Sequence, residues 1–160
     1  SDEYGHITED PQIRIKMMDK RMSRLDLALE SIPVDQQAVS FEVHDYTIIS
    51  WGSTKGPIID AQAMLKKEGI DIGFVQIKLL HPFPTEYVKS LLKDAKVLID
   101  IEANYSGQFG KIFKQNITRE IDYHILKYTG RGMTSTEIYD SLKKIIENKA
   151  EKREILSHGA

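Results

Sequence analysis

The polar residues best suited to chemistry lie in two glycine-containing loops, each after a predicted strand. The first loop, residues 51–57, holds Gly52, Ser53 and Lys55. Their backbone amides, hydroxyl and ammonium group could cradle a phosphate or a carboxylate. The loop lacks the residue order of a Walker A motif and the glycine spacing of a dinucleotide fingerprint. A tight strand-to-helix turn that binds no ligand is the commoner use of such residues.

The second loop begins with Glu102 at the end of a predicted strand, and Asn104 and Gln108 follow on either side of Gly107. Clustered polar groups at the carboxyl end of a strand are typical of binding sites in α/β proteins. Asp100 lies two residues before Glu102, so a strand would point both carboxylates to one face. The pair could do acid–base chemistry if burial raised one pKa. A structural ion pair is the commoner role for Asp100.

Other residue types that form reactive centres lack the necessary context. The histidines are His6, His44, His81, His124 and His158. No two of them are spaced to share a metal on a helix, and no serine stands in a Gly-x-Ser-x-Gly elbow. The chain has no cysteine, which excludes disulfides, thiolate nucleophiles and cysteine-held zinc or iron–sulfur clusters. We therefore predict no catalytic residue and no metal ligand in this chain.

The composition excludes two further classes. Lys and Arg number 22 and Asp and Glu number 24, a formal charge of −2, which argues against a general nucleic-acid binder because such proteins need a cationic surface. No apolar run approaches the roughly 20 residues that a membrane-spanning helix needs. The length of 160 residues suits about one domain.

The elements that must position the two loops follow a long amino-terminal helix. Asp10 and Pro11 are a favourable helix start, and Pro33 ends the helix because proline disfavours helical geometry in the residue before it. The apolar residues of this helix recur every three or four positions: Ile15, Met18, Met22, Leu25, Leu29 and Ile32. Such a seam could form a coiled coil, but a helix laid against its own or a neighbouring domain is favoured.

Strands and helices alternate after Pro33. The two-residue connection His44-Asp45 predicts an antiparallel hairpin between strands at 39–43 and 46–51. Further strands are predicted at 72–80, 97–102 and 123–127, and helices at 57–68, 85–93, 108–119 and 135–149, the last with a capping box at residues 134–137. Alternation of this kind predicts an α/β protein with helices on both faces of a mixed, mostly parallel, five-stranded sheet. The tail, residues 151–160, is expected to fray.

Several of these residues form motifs of a known family. In chain order they are Asp2-Glu3-Tyr4-Gly5-His6, the Arg- and Met-rich helical stretch up to Lys20-Arg21, Gly52-Ser53, Leu79-Leu80-His81-Pro82-Phe83-Pro84, and Glu102 with Asn104, Gly107 and Gln108. Together they resemble the carboxyl-terminal part of the α subunit of 2-oxoacid:ferredoxin oxidoreductases, over residues 1 to about 148. Ala103 stands where a polar residue is expected, and Asp100 where the strand is usually apolar.

The resemblance implies a fold and a place in a larger enzyme. The fold would be a three-layer α/β/α sandwich like the transketolase carboxyl-terminal domain, with its first strand antiparallel. Residues 1–36 would be a connector from a missing upstream domain, 37–150 the α/β domain and 151–160 the frayed tail. Gly52, Ser53, Glu102, Asn104, Gly107 and Gln108 would form loops facing a subunit interface or an anion. The piece alone would be inactive.

The complete enzyme would decarboxylate a 2-oxoacid onto coenzyme A and reduce ferredoxin. The resemblance implies thiamine diphosphate, Mg²⁺ and a [4Fe–4S] cluster elsewhere in a cytoplasmic, oligomeric complex with a β subunit, and no cofactor in this chain. Two alternatives stay open. One is the carboxyl-terminal domain of a transketolase or of a 2-oxoacid dehydrogenase β chain, and the other is a small regulatory module that binds an anion or a nucleotide.

Overall fold

The structure is a computed structural model that describes residues 2–157. The chain divides between Pro33 and Val34 into two compact units. No helix within residues 2–157 combines the length and the apolar character that crossing a membrane requires.

The first unit contains one long helix, α1 (Pro11–Ser31). The Asp10 carboxylate accepts the backbone N–H groups of Gln12 at 2.8 Å and of Ile13 at 3.2 Å, so it caps two amides that a helix start leaves without partners. The helix ends before Ile32, which is extended, as expected for a residue that precedes proline. No residue of α1 is buried, and its apolar residues Ile15, Met18 and Met22 are exposed.

The second unit alternates strands and helices. The strands are β1 (Ala38–Phe41), β2 (Tyr46–Trp51), β3 (Gly73–Ile77), β4 (Val97–Glu102), β5 (Tyr123–Leu126) and β6 (Arg153–Ile155). The helices are α2 (Val34–Gln37), α3 (Lys55–Lys66), α4 (Thr85–Leu91), α5 (Gln108–Asn116) and α6 (Ser135–Ile146), and a 3₁₀ turn (Gly52–Thr54) precedes α3. The predicted capping box is present, because Thr134 and Glu137 exchange side-chain and backbone hydrogen bonds at the start of α6.

The strands form one sheet in the order β1-β3-β2-β4-β5-β6, in which only β1 is antiparallel to its neighbour. Alternate strand residues face two separate apolar cores. Ile48 and Ile99 pack with α3 and α6 on one face, and Ile49 and Leu98 pack with α4 and α5 on the other. The predicted α/β/α layers and mostly parallel sheet are therefore confirmed, with six strands in place of five.

The predicted hairpin is wrong, because β1 pairs with β3 and not with β2. The residues between β1 and β2 cross over the start of β3 at Gly73. A Cβ atom at Gly73 would lie 2.8 Å from both the Val43 Cα and the His44 N. Glycine leaves room for this crossing, and the backbone of Glu42 adopts a left-handed φ of 64° where the crossing begins.

The tail prediction is wrong for Arg153–Ile155, which form β6 and pair in parallel with β5. Leu156 follows the strand and is buried in the α3–α6 core. The Lys144 ammonium binds the Glu154 carboxylate at 2.6 Å. These contacts hold residues 153–155 as a strand, although their sequence lacks the apolar run or the alternation that predicts one. The rest of the predicted tail after Ser157, with His158, lies outside the described residues.

Candidate functional site

Glu102 ends β4 and caps the start of α5. Its carboxylate accepts the backbone N–H of Phe109 at 2.8 Å and of Gly110 at 2.9 Å, and the Asn104 amide at 2.6 Å. The side chain is only 1% exposed, and burial raises its pKa. Hydrogen bonds from the neighbouring Asp100 carboxyl and from these N–H donors together outweigh burial, so the pKa of Glu102 lies below the usual value. Glu102 is therefore an anion bound to a helix N-terminus.

Asn104 fixes the loop between β4 and α5. Its side-chain oxygen accepts the backbone N–H of Ser106 at 3.2 Å, of Gly107 at 2.8 Å and of Gln108 at 3.2 Å. Gly107 has a left-handed φ of 61°, which glycine adopts without strain. The two predicted polar residues Glu102 and Asn104 thus use their hydrogen-bonding atoms on the protein itself.

Asp100 and Glu102 share a face of β4, as their spacing predicts, and they interact with each other as well as with separate partners. Asp100 is 0% exposed, and its Oδ2 lies 2.8 Å from His124 Nδ1 on β5. Burial raises the pKa of Asp100 well above its usual value, and the charge of Glu102 adds to this. Burial lowers the pKa of His124. Both pKa shifts favour the uncharged forms of the two side chains, which are joined by the hydrogen bond between Oδ2 and Nδ1.

Close packing brings α5 onto this pair. A Cβ atom at Gly110 would lie 2.9 Å from Asp100 Oδ2 and 3.1 Å from His124 Cε1. Asp100 Oδ1 has no hydrogen-bond partner among the described residues. Sequence reasoning missed His124 here because it tested the histidines only for metal spacing along one element, whereas the pairing of β4 with β5 brings these two residues together.

The first predicted loop lies at the same edge of the sheet, after the neighbouring strand β2. Gly52 and Ser53 are exposed in the 3₁₀ turn, and no hydrogen bond within residues 2–157 joins them to the second loop. The Lys55 ammonium lies 5.0 Å from the centre of the Phe41 ring, a cation–π contact. The loop therefore forms a strand-to-helix turn. Its ammonium group lies at the Phe41 ring, which does not support the prediction that this loop binds an anion.

Two buried hydroxyls tie this turn to β4, and sequence reasoning missed both. Ser50 Oγ donates to the Ile101 carbonyl oxygen at 2.6 Å and lies 2.5 Å from Thr54 Oγ1. The only sequence signal for these two hydroxyls was that Ser50 lies inside an apolar strand and Thr54 in the turn that follows it. Their burial shows that the loop ends of β2 and β4 are joined by structural hydrogen bonds.

Comparison with known proteins identifies the family. Residues 44–138, more than half of the chain, match the family described as pyruvate:ferredoxin oxidoreductase core domain II. The chain belongs to this family. The 2-oxoacid:ferredoxin oxidoreductase subunit alpha of Saccharolobus solfataricus is 38% identical over 161 residues, which cover 99% of this chain and 25% of the relative. The chain thus spans about a quarter of the length of that curated relative.

Solved structures of a 2-oxoglutarate:ferredoxin oxidoreductase and of a transketolase share the fold. The 2-oxoglutarate:ferredoxin oxidoreductase of Magnetococcus marinus, solved with 2-oxoglutarate, coenzyme A and succinyl-CoA bound, has a TM-score of 0.75 and 26% identity over 89% of this chain and 25% of that chain. A split-gene transketolase has a TM-score of 0.55 and 19% identity over 72% of this chain and 43% of that chain. The likeness to transketolase shows the fold alone. Because the family match and the 38% identical relative both point to 2-oxoacid:ferredoxin oxidoreductases, the transketolase and regulatory-module alternatives are not favoured.

Core domain II also carries exposed aromatic residues at the edge where these strands end, a feature that sequence reasoning missed. Trp51 ends β2, Tyr105 follows β4 and Tyr128 follows β5, and all three are exposed. The Tyr105 and Tyr128 rings meet edge to face at 4.9 Å between centroids. Exposed aromatic side chains are enriched in protein interfaces. The available signal was an aromatic residue at the end of one predicted strand and shortly after the ends of two others.

Proposed function

We propose that this chain is a non-catalytic, interface-forming domain of the α subunit of a 2-oxoacid:ferredoxin oxidoreductase. The observation that carries the proposal is the set of hydrogen bonds around Glu102 and Asn104. The side-chain polar atoms of Glu102 and Asn104 are bound to their own loop and to the start of α5. Such a loop suits presentation of a fixed surface better than it suits catalysis.

The predicted interface residues have two roles in this proposal. Gly52, Ser53 and Gln108 are exposed and would touch the partner, as would the half-buried Asn104. Glu102 and Gly107 are buried and would hold the loop in position. The exposed aromatic residues Trp51, Tyr105 and Tyr128 extend the same surface.

The reaction would be carried out elsewhere in the complex. We propose that thiamine diphosphate, Mg²⁺ and the [4Fe–4S] cluster are held outside this chain, and that a β subunit, ferredoxin and coenzyme A are partners of a cytoplasmic complex. The chain has no cysteine to hold a cluster. Glu42, His44 and Asp71 could bring three ligand atoms together, but Lys66 already binds Glu42 at 3.0 Å. These residues therefore do not suit Mg²⁺.

The interface role is tested by Gln108→Ala in the complete complex. Gln108 is exposed, so its side chain can be removed without opening the core, and we expect weaker assembly and lower activity with unchanged thermal stability. Gln115→Ala, in the second half of α5, is the matched control. Assembly and activity that both match the unsubstituted complex would contradict the proposal.

The claim that thiamine diphosphate is held elsewhere has a separate test. Isothermal titration calorimetry of the 160-residue chain with thiamine diphosphate and Mg²⁺ should show no saturable heat. Saturable binding to this chain would contradict the claim, whatever the result of the Gln108→Ala experiment.

A further inference from the structure

A pocket of about 200 Å³ opens where α5, β5 and β6 meet, and the interface role does not account for it. Its lining includes Lys111 and Lys114 from α5, His124 from β5 and Arg153 from β6. Three elements thus direct basic groups into one small space, although the whole chain has a formal charge of −2.

The three permanent cations are only partly neutralised. Lys114 binds Glu120 at 2.5 Å. Arg153 donates one N–H to the Tyr105 carbonyl oxygen at 2.6 Å, and a guanidinium has five N–H donors. Lys111 has no ion pair within residues 2–157. The Glu102 carboxylate, 3.6 Å from a Cβ position at Gly107, adds a second negative charge beside His124. Three cations against the two anions Glu120 and Glu102 leave a net positive charge, with unused donors on a helix and a strand.

His124 lines the pocket between the basic residues of α5 and Arg153 of β6. Asp100 holds Nδ1 at 2.8 Å, so Nε2 is the ring nitrogen left for another partner. Gly107 and Gly110 also line the pocket. A Cβ atom at Gly110 would come within 3.1 Å of His124 Cε1, so a larger residue would crowd the ring. The side chain of His124 remains 29% exposed.

We propose that this pocket binds a phosphate group, held by Lys111, Arg153 and Nε2 of His124. Lysine supplies a point charge, and arginine supplies a planar pair of donors that matches two phosphate oxygens. When Asp100 keeps its proton and donates it to Nδ1, Nε2 carries an N–H and becomes a third donor. A space of about 200 Å³ holds a phosphate or diphosphate but not the whole of a larger ligand.

The phosphate could be free or could belong to a nucleotide. Tyr105 is 67% exposed, and the centre of its ring lies 6.0 Å from the Arg153 guanidinium, so a base could stack on the ring beside the pocket. Both sources share the phosphate contacts with Lys111 and Arg153. They differ in whether Tyr105 contributes.

Calorimetric titration of the 160-residue chain with inorganic pyrophosphate tests the site. We expect saturable binding that Lys111→Gln and Arg153→Gln each weaken about tenfold or more, the effect of losing one hydrogen bond between charged groups. Lys67→Gln is the control, because Lys67 follows α3 on the opposite face of the sheet and its loss changes the net charge equally. Amide and imidazole NMR signals of residues 107–111 and His124 should shift during the titration.

Two outcomes would overturn the proposal. One is the absence of saturable binding to the unsubstituted chain. The other is an equal loss of affinity in Lys67→Gln and Lys111→Gln, which would mean a general attraction to positive charge. A parallel titration with ADP distinguishes the sources. Tighter binding that Tyr105→Ala reduces supports a nucleotide, and affinity equal to that of pyrophosphate supports a free phosphate.

Discussion

The carboxylate of Glu102 accepts the backbone N–H of Gly110 at 2.9 Å, so the last residue of β4 caps the helix that follows it. A second oxygen of the same carboxylate accepts the N–H of Phe109 at 2.8 Å. The side chain thus fixes where α5 begins relative to the sheet, and it does so with a charge that is almost fully buried.

Glu102→Gln should therefore destabilise the chain at neutral pH. The substitution replaces an oxygen that accepts a buried amide with an NH₂ group that cannot, and leaving such a group without a partner costs about 1–3 kcal/mol. Urea unfolding followed by circular dichroism measures the loss. Glu86→Gln, at an exposed ion pair with Lys89, is the control and should change stability by less than about 0.5 kcal/mol.

The cost of Glu102→Gln should shrink in acid. The pKa of Glu102 is lowered from its usual 4.5, so its carboxylate contributes stability that is present above pH 4.5 and is lost as the pH falls through the lower folded value. If the loss of unfolding free energy caused by Glu102→Gln stays constant down to the acid unfolding transition, Glu102 is not a hydrogen-bonded carboxylate in the folded chain.

Asp100→Asn should have the opposite dependence on pH. Burial raises the folded pKa of Asp100 above its usual 3.8. Between these two values the folded chain binds more protons than the unfolded chain, so the contribution of Asp100 to stability falls as the pH rises. Asparagine has nearly the size of the neutral acid and does not titrate. The stability of the variant relative to the unsubstituted chain should therefore increase with pH above 3.8.

The measurement for Asp100 is the free energy of unfolding in urea at several pH values. Asp45→Asn is the control, because Asp45 is exposed and pairs with Lys96 at 2.7 Å. A difference between Asp100→Asn and the unsubstituted chain that is flat or that decreases with pH would show that Asp100 is ionised in the folded state.

Gly110→Ala should destabilise through overpacking. The new methyl group would meet Asp100 Oδ2 at 2.9 Å and His124 Cε1 at 3.1 Å, and forcing extra atoms into a filled core costs about 1–3 kcal/mol. Gly56→Ala in α3 is the matched control, because nothing lies within 4 Å of its Cβ position. That change should stabilise by about 0.4–1 kcal/mol. Thermal unfolding of both variants measures the contrast, and equal melting temperatures would contradict it.

Lys127→Met should be strongly destabilising. The buried Lys127 ammonium binds the Glu137 carboxylate at 2.8 Å and the Gly132 carbonyl oxygen at 2.9 Å, and removing one partner of a buried pair costs about 3–5 kcal/mol. Adding Glu137→Gln removes the unpaired charge and keeps a capping side chain for Thr134, so the double variant should recover part of the loss. Urea unfolding of the single and double variants measures this, and a double variant less stable than Lys127→Met would contradict the pairing.

The local signals in the sequence predict the elements well. Asp10 with Pro11 locates the start of α1, Thr134 with Glu137 locates the start of α6, and the strand at 97–102 has the bounds that the structure shows. Each of these signals acts within a few residues, through a cap or an apolar run. The layers and the mostly parallel sheet follow from the alternation of the elements.

The errors concern contacts between distant residues. The partner of β1 depends on Gly73, about thirty residues later in the chain, which leaves space for the segment at His44 to cross β3. The strand β6 depends on Glu154 binding Lys144 and on burial of Leu156. Residues 153–155 themselves have no apolar run and no apolar–polar alternation that would predict a strand. Short turns and tails carry no local sign of such contacts.

The candidate site was predicted only in part, because it too depends on contacts between distant residues. The shared face of Asp100 and Glu102 follows from the period of a strand, and the structure has it. The partner His124 comes from another strand, and the sequence does not show which strands are neighbours. Nor does it show that Glu102 and Asn104 would use their polar atoms within their own loop.

Both edges of the sheet are short, which limits how this domain can associate. β1 has four residues and β6 has three, and Lys152 and Arg153 place two positive charges at the β6 edge. Short edge strands with charged side chains discourage a second sheet from pairing with the first. Continuous sheets across two chains are therefore an unfavourable mode of assembly. The short edges favour association through loops and helix surfaces, whose side chains can select a particular partner, whereas backbone pairing would accept many.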